Sequence, residues 1–452
     1  MQREITPIWG EKKVVLRQTP RAVTPFGGLS VFVEFLEKIG FAKQISEHLP
    51  VHLKSPNAIP AAETFTAFVI SVVAGARRFA HTGLLRADRA LHALLGIKRF
   101  PTDGTIRNLF KRFRQKMVYE FFGPLWAWQL ARLPKREGGY SLDLDSTVFE
   151  RYGEQEGVKR GYNPRKPGRG SHHPLLAVLG EAHFILHGWL RSGNTRADSG
   201  AVEFLKEALA KLESLDWIRR VRADSGFFAQ ELLKYLEELK LGYVVVAKLT
   251  PWLKREAACV KEWRALDETY SVGEFELKLW GWERARRFVV VREEIHESKP
   301  SRGRKLFALP GYTFRVFVTN LADLPEQIWR DYNQRACVEQ RIEELKSDLA
   351  ADDFCLQEFF ATETAFLSIL MLFNLLAEFQ RASGMIGYRQ PASLRVQVFL
   401  CGAILGRAGH RVVLHLSAAW GGLEGRNPLF DKLLGYEIPT SRKLEIQPHA
   451  TG

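Results

Sequence analysis

Cysteine is scarce in this 452-residue chain: Cys259, Cys337, Cys355 and Cys401 stand far apart, and no two of them form a Cys-x2-Cys pair. That spacing excludes a zinc ribbon and a disulfide framework and makes a reducing compartment the simplest setting. Long apolar runs are missing too. Met1 to Gly10 lack the apolar stretch of a signal peptide, and the longest apolar segment, Ala365 to Ala377, is interrupted by Ser368 and Asn374. A core helix fits that segment and a membrane span does not. There is no internal repeat. With 46% hydrophobic and 26% charged residues, the chain has the composition of a folded protein with length enough for a large core.

Acidic charge is short at one end. The chain carries 65 Lys+Arg against 51 Asp+Glu, a net +14, and residues 1–135 account for +12 of it. A polyanion is the expected partner of that basic, mostly helical region, which makes it a candidate DNA-binding region. Its first 27 residues, with Pro7, Pro20, Pro25 and Gly27, read as an arm or short hairpin. Further on, Gly96 can close a helix that starts near Leu91, and Thr102 or Asp103 can cap a second one running to Lys116. In the second helix Ile106, Leu109, Phe110, Phe113 and Met117 face one way and Arg107, Lys111 and Arg114 another. The pair resembles a helix-turn-helix, with those three basic residues as possible DNA contacts. A basic face on a helical bundle accounts for the same pattern.

Past Gly138-Gly139 the period changes from helical to extended. Tyr140 to Phe149 alternates as a strand that puts Asp143 and Asp145 on one face. A basic Gly- and Pro-rich loop, Gly157 to Gly170, precedes two further strands, Leu175–Leu179 and Phe184–Leu190. Next come a helix over 199–215, a strand Ile218–Ala223 ending at Asp224, a helix over 228–239 and a strand over 243–248. Three strands, a strand-ending Asp, a helix and a strand give the order of a ribonuclease-H-like α/β mixed sheet with helices on both faces. A β-rich insertion over about 250–311 interrupts that layout, and Phe314–Thr319 resumes it. The catalytic region expected is therefore 136–349. Residues 350–452 read as a mainly helical C-terminal region for dimerisation or end binding, with helices over 363–381 and 393–405.

The segment Tyr332 to Lys346 reads as one helix. Tyr332, Arg335, Glu339, Glu343 and Lys346 lie on one side of it, next to an apolar stripe of Val338, Ile342, Leu345 and Leu349. A strand Asp, an Asp ending a neighbouring strand and a helix Glu can converge on one point. Such carboxylates repel one another unless cations lie between them. Hard oxygen ligands with open positions suit Mg2+ or Mn2+. Two such ions would activate a water or a 3′-hydroxyl for in-line displacement at phosphorus. Asp145, Asp224 and Glu339 are the candidate catalytic residues and metal ligands. Asp143 is the rival of Asp145, and Glu343, able to pair with Lys346, is the rival of Glu339.

Tyr332-x2-Arg335-x3-Glu339-x6-Lys346, with Asp145-Ser-Thr and Asp224-Ser-Gly-Phe227, resembles the Tyr-Arg-Glu-Lys pattern of DDE-type bacterial insertion-sequence transposases. The resemblance covers roughly residues 140–350. It implies a metal-dependent cut-and-paste transposase acting on terminal inverted repeats and target DNA, as a homo-oligomer, in the bacterial cytoplasm near the nucleoid. It also implies that Tyr332, Arg335 and Lys346 contact DNA phosphates, and it draws attention to Trp280, Trp282 and Trp329 as possible base-stacking residues, for which packing is the simpler role. A structure-selective nuclease with the same sheet, and a non-catalytic DNA-binding repressor, are the alternatives.

Overall fold

Seven residues, Tyr140–Ser146 (β1), form an interior strand of the main sheet, third from one edge and paired on both sides, and all but the last of them are buried. The computed structural model describes residues 3–294, 308–309, 312–419 and 425–438. Numbering only the strands of this sheet, β2 is Leu175–Leu179, β3 Phe184–Trp189, β4 Ile218–Ala223 and β5 Gly242–Val246. Arg264–Ala265 (β6), Tyr270–Leu277 (β7), Arg286–Glu294 (β8), Ala308–Leu309 (β9) and Tyr312–Thr319 (β10) complete it. The strand order is β6-β7-β8-β10-β5-β4-β1-β2-β3, with β9 paired to β10.

β1, β2 and β3 are antiparallel, while β4 is parallel to both β1 and β5. Parallel neighbours need crossovers. Helix Ala201–Leu209 lies between β3 and β4, and Gln230–Glu238 between β4 and β5. This is the expected ribonuclease-H-like mixed sheet. The β-rich segment after β5 does not form a separate sheet. β8 pairs with β10 over eight residues, and β10 with β5, so the insertion lengthens the main sheet. The cause is legible in β8, where Phe288, Val289, Val290 and Val291 are all buried, a strand that needs cover on both faces.

By contacts the chain forms two units, each discontinuous in sequence. The larger draws on Glu47–Val51 and Arg107–Glu378 and contains the sheet. Within it, the long helix Phe359–Ala382 supplies a buried layer up to Glu378. By length and composition this helix could cross a membrane, yet its residues are mostly buried inside the protein. Its polar interruptions have local partners. Asn374 Oδ1 accepts from the Ile185 amide at 2.7 Å and its Nδ2 donates to the Ile185 carbonyl at 3.0 Å, satisfying the backbone of the edge strand β3. Ser368 donates to the Thr364 carbonyl.

The smaller unit draws on the stretches up to Ser46, His52–Ile106 and Phe379–Tyr436. Arg3–Ile5 and Val14–Leu16 pair as the expected hairpin. Phe32, Phe35, Phe379 and Phe399 form an aromatic cluster at centroid distances of 5.4–5.9 Å. Two helical expectations are corrected here. The helix expected over 393–405 is one turn, Pro391–Leu394, followed by a π turn. Ala403–Ala408 is instead a strand between Arg411–Leu416 and Val23–Thr24, because pairing with two neighbours outweighs local helix propensity. The helix expected to reach Lys116 ends at Phe110, capped by Thr102 Oγ1 at the Thr105 amide. Arg114 closes that end by donating to the Lys111 and Phe113 carbonyls, and Met117 belongs to the next helix, Gln115–Leu130.

Arg132 and Glu378 form a buried bidentate pair, at 2.5 and 2.7 Å. Removing one partner leaves the other charge unpaired in the interior. Glu378→Ala should lower unfolding stability by about 3–5 kcal/mol in urea titrations, whereas the double variant Glu378→Leu with Arg132→Met should recover most of it.

Candidate active site

Register brings the two aspartates together. Ala223 of β4 pairs in parallel with Leu144 of β1, so the next residue of each strand, Asp224 and Asp145, stand side by side at the carboxyl end of the sheet. Asp224 caps the turn that follows, accepting from the Gly226 amide at 2.9 Å. Its position is thereby fixed while its carboxylate stays half-buried.

The helix expected from Tyr332 to Lys346 is three pieces. Pro325–Asn333 ends in a turn at Gln334–Arg335, a second helix runs Ala336–Glu343, and Glu344–Asp348 is a π turn. Bonds from Arg335 N to Tyr332 O and from Val338 N to Arg335 O, each of the tighter three-residue type, mark the break. The break places Arg335 against β1. Its Nη2 donates to the Leu144 carbonyl at 2.9 Å and lies 3.1 Å from Asp145 Oδ2. Glu339 is exposed on the second helix. Lys346 donates to the Val148 carbonyl at 3.2 Å, just past β1. Tyr332 is only 8% exposed, its ring 4.8 Å from Phe317 and 5.9 Å from the Arg335 guanidinium.

Burial pushes the Asp145 carboxyl up to about 6; Arg335 opposes this, while the charges of Asp224 and Glu339 add to it. The charges of both other carboxylates thus reach Asp145. Burial disfavours the charged Arg335, but Asp145 foremost, with Tyr332, Asp224 and Asp143, overrides it and raises its pKa. Asp143 occupies a different environment. Fully buried, it accepts from Arg222 Nε at 2.6 Å and Nη2 at 2.8 Å, so both oxygens are committed. Glu343 is exposed and accepts from the Ser347 hydroxyl at 2.7 Å, not from Lys346.

Three all-oxygen carboxylates, one held above its ordinary pKa partly by the other two, fit a divalent cation by donor chemistry. As placed, they do not form a ready-made cage: among the described residues no group of three or more His, Cys, Asp or Glu could hold a metal ion. Arg335 supplies the positive charge beside Asp145 instead.

Over residues 6–432 the chain matches Transposase DDE domain group 1. The chain belongs to this DDE transposase family. No curated protein matches it. Among solved structures, a cryo-EM piggyBac transposase synaptic complex with hairpin DNA is similar at 13% identity, with a TM-score of 0.45, over 84% of this chain and 82% of that one.

Other residues singled out in this DDE transposase chain are dispersed. Lys111 lies 3.5 Å from Glu358, Arg114 caps the helix end described above, and Arg107 is half-buried. Trp282 packs on Phe228 and Phe288 beneath Arg286, and Trp329 packs on Tyr270, whereas Trp280 is 92% exposed. Sequence reasoning missed Arg222. Besides gripping Asp143, it donates to the Asp331 carbonyl at 2.6 Å, and its neighbour Arg220 pairs with the Asp331 carboxylate at 2.9 Å. The signal was present as three arginines, Arg219, Arg220 and Arg222, on a six-residue strand.

Asp143→Ala should cost about 3–5 kcal/mol in chemical unfolding, because Arg222 is left buried and unpaired. Asp145 behaves differently with pH. Its folded-state pKa is raised, so its contribution to stability is present below the ordinary aspartate value and lost as pH rises through about 6. The metal-free protein should therefore lose up to roughly 3 kcal/mol across that window, and Mg2+ should raise its melting temperature well above pH 6 but not near pH 4. A metal response independent of pH would contradict this assignment.

Proposed function

We propose that this DDE transposase cuts and rejoins DNA strands at the terminal inverted repeats of a bacterial insertion sequence, with Asp145, Asp224 and Glu339 as its catalytic residues. The observation that carries the reading is the placement of Asp224 beside Asp145 by strand register, with Glu339 close enough to act on the same carboxyl group. The spacing of Tyr332, Arg335, Glu339 and Lys346 supports it, and so does membership of the family.

These three carboxylates would hold two Mg2+ or Mn2+ ions, which when bound supply an activated oxygen nucleophile and stabilise the leaving oxygen. The chain's own groups do the rest. Arg335, anchored on the Leu144 carbonyl, presents a fixed cation beside Asp145 that can receive a non-bridging phosphate oxygen. Lys346 offers a second cation past the end of β1. Tyr332 is buried, which favours positioning Arg335 over touching phosphate. Arg107, Lys111 and Arg114 are proposed DNA contacts of the basic region, and the active assembly is proposed to be a homo-oligomer, a dimer at the synaptic stage, in the cytoplasm.

Asp145→Ala, Asp224→Ala and Glu339→Ala should each reduce cleavage of inverted-repeat DNA at least 10³-fold while leaving DNA binding within a few-fold. A precleaved end with Mn2+ should yield strand-transfer products. Cleavage without joining would mark a nuclease, and binding without either would mark a repressor.

A further inference from the structure

Between β1 and β2 the chain builds a small flap of three strands, Phe149–Glu150, Lys159–Arg160 and Gly170–His172, with the last in the middle. The flap borders a cavity of about 800 Å3 whose wall includes Arg151, Lys159, Arg160, Lys166 and Arg169. Two glutamates line it as well. One of them, Glu156, is already occupied by the Phe359 amide. Lys166 is paired with Glu150, while Lys159, Arg160 and Arg169 are exposed and have no carboxylate partner among the described residues.

Arg151 is the decisive residue. It is 4% exposed, and its guanidinium meets only neutral acceptors: Nε donates to His172 Nδ1 at 3.0 Å and Nη1 to the Glu150 and Asp352 carbonyls. His172 donates from its other nitrogen to the Glu156 carbonyl, which fixes the tautomer that accepts from Arg151. Arg151 Nη2 has no acceptor, and neither of two polar groups in this wall is complete, since Gln155 Oε1 is also unpartnered. Carboxylates of Asp352 and Asp353 act on Arg151 through space, but neither meets Nη2; buried polar atoms without partners are rare, and they point to a ligand that supplies them. At the rim the exposed ring of Tyr152 carries the Arg169 guanidinium 4.5 Å from its centroid, an aromatic face beside cations.

We propose that the flap cavity binds a phosphate of an unpaired DNA strand next to the bond being cut. This rests on the transposase reading and adds a site to it. The ligand must be anionic and rich in acceptors, as a phosphate is. A concave pocket admits one strand, whereas a duplex presents its phosphates on a convex surface. The flap follows directly from the strand that bears Asp145, and Lys346 donates to Val148 at its root, so the cavity continues the line of cations that starts at Arg335.

The test measures anisotropy of fluorescein-labelled dT10, with a 5′-phosphate or a 5′-hydroxyl, and of a blunt duplex, on the full chain. The triple variant Lys159→Gln, Arg160→Gln, Arg169→Gln changes only exposed residues. It should weaken dT10 binding at least tenfold, lower the slope of log affinity against log salt by about 2, and leave the duplex within about twofold. Arg151→Gln, if it folds, should abolish the rise in melting temperature that dT10 gives the parent. A preference for 5′-phosphate assigns a terminal phosphate, and no preference assigns an internal one; either supports the site. Equal loss for strand and duplex, or no loss for either, overturns it. Cleavage by the parent is scored separately: a parent that cleaves beside a triple variant that binds dT10 normally refutes the cavity alone. A parent that binds dT10 through the cavity but never cleaves refutes the catalytic reading alone.

Discussion

One guanidinium, Arg222, sets the frame on which the rest of the site depends. It grips both oxygens of Asp143 on β1 and the Asp331 carbonyl of the helix that carries Tyr332. Each contact lies one or two residues from a site residue: Asp143 from Asp145, Arg222 from Asp224, and Asp331 from Tyr332. A shift of any of the three segments would therefore disturb a buried ion pair, which is costly when left half-made. The same bonds that stabilise the sheet fix where the candidate carboxylates can stand.

The two arginines divide the charge. Asp143 is fully buried and both its oxygens are engaged by Arg222. Asp145 accepts from the Ser146 amide at 2.7 Å, lies 3.1 Å from Arg335, and remains under repulsion from Asp224 and Glu339. A site built this way holds unrelieved negative charge where a divalent cation would relieve it, while the cations of Arg335 and Lys346 lie where a phosphate could meet them. The flap after β1 extends that pattern with a buried guanidinium, Arg151, whose Nη2 has no acceptor.

Much of this was legible in the sequence. β2 and β4 fall on the residues expected: β2 is an unbroken apolar run closed by Gly180, and β4, though it carries three arginines, stops at Asp224. Alternation put Asp143 and Asp145 on one face but could not separate them; that needed Arg222, 79 residues away in sequence, and a parallel register that local pattern does not encode. The break at Gln334–Arg335 was invisible for another reason. Both residues keep helical dihedrals, so no proline or glycine announces it, and it arises from docking Arg335 on the Leu144 carbonyl. Where the strands of the β-rich insertion pair was not legible, because strand partners distant in sequence, such as β8 and β10, leave no periodic mark of their pairing.

The central claim is that Asp145, Asp224 and Glu339 form one site for two divalent ions. Electron paramagnetic resonance of the full chain titrated with Mn2+ in the presence of end DNA tests it most directly. Two ions per chain with mutual spin coupling are expected, with the coupling lost on replacing any one of the three carboxylates. A single uncoupled ion, or a coupled pair that survives all three replacements, would contradict it.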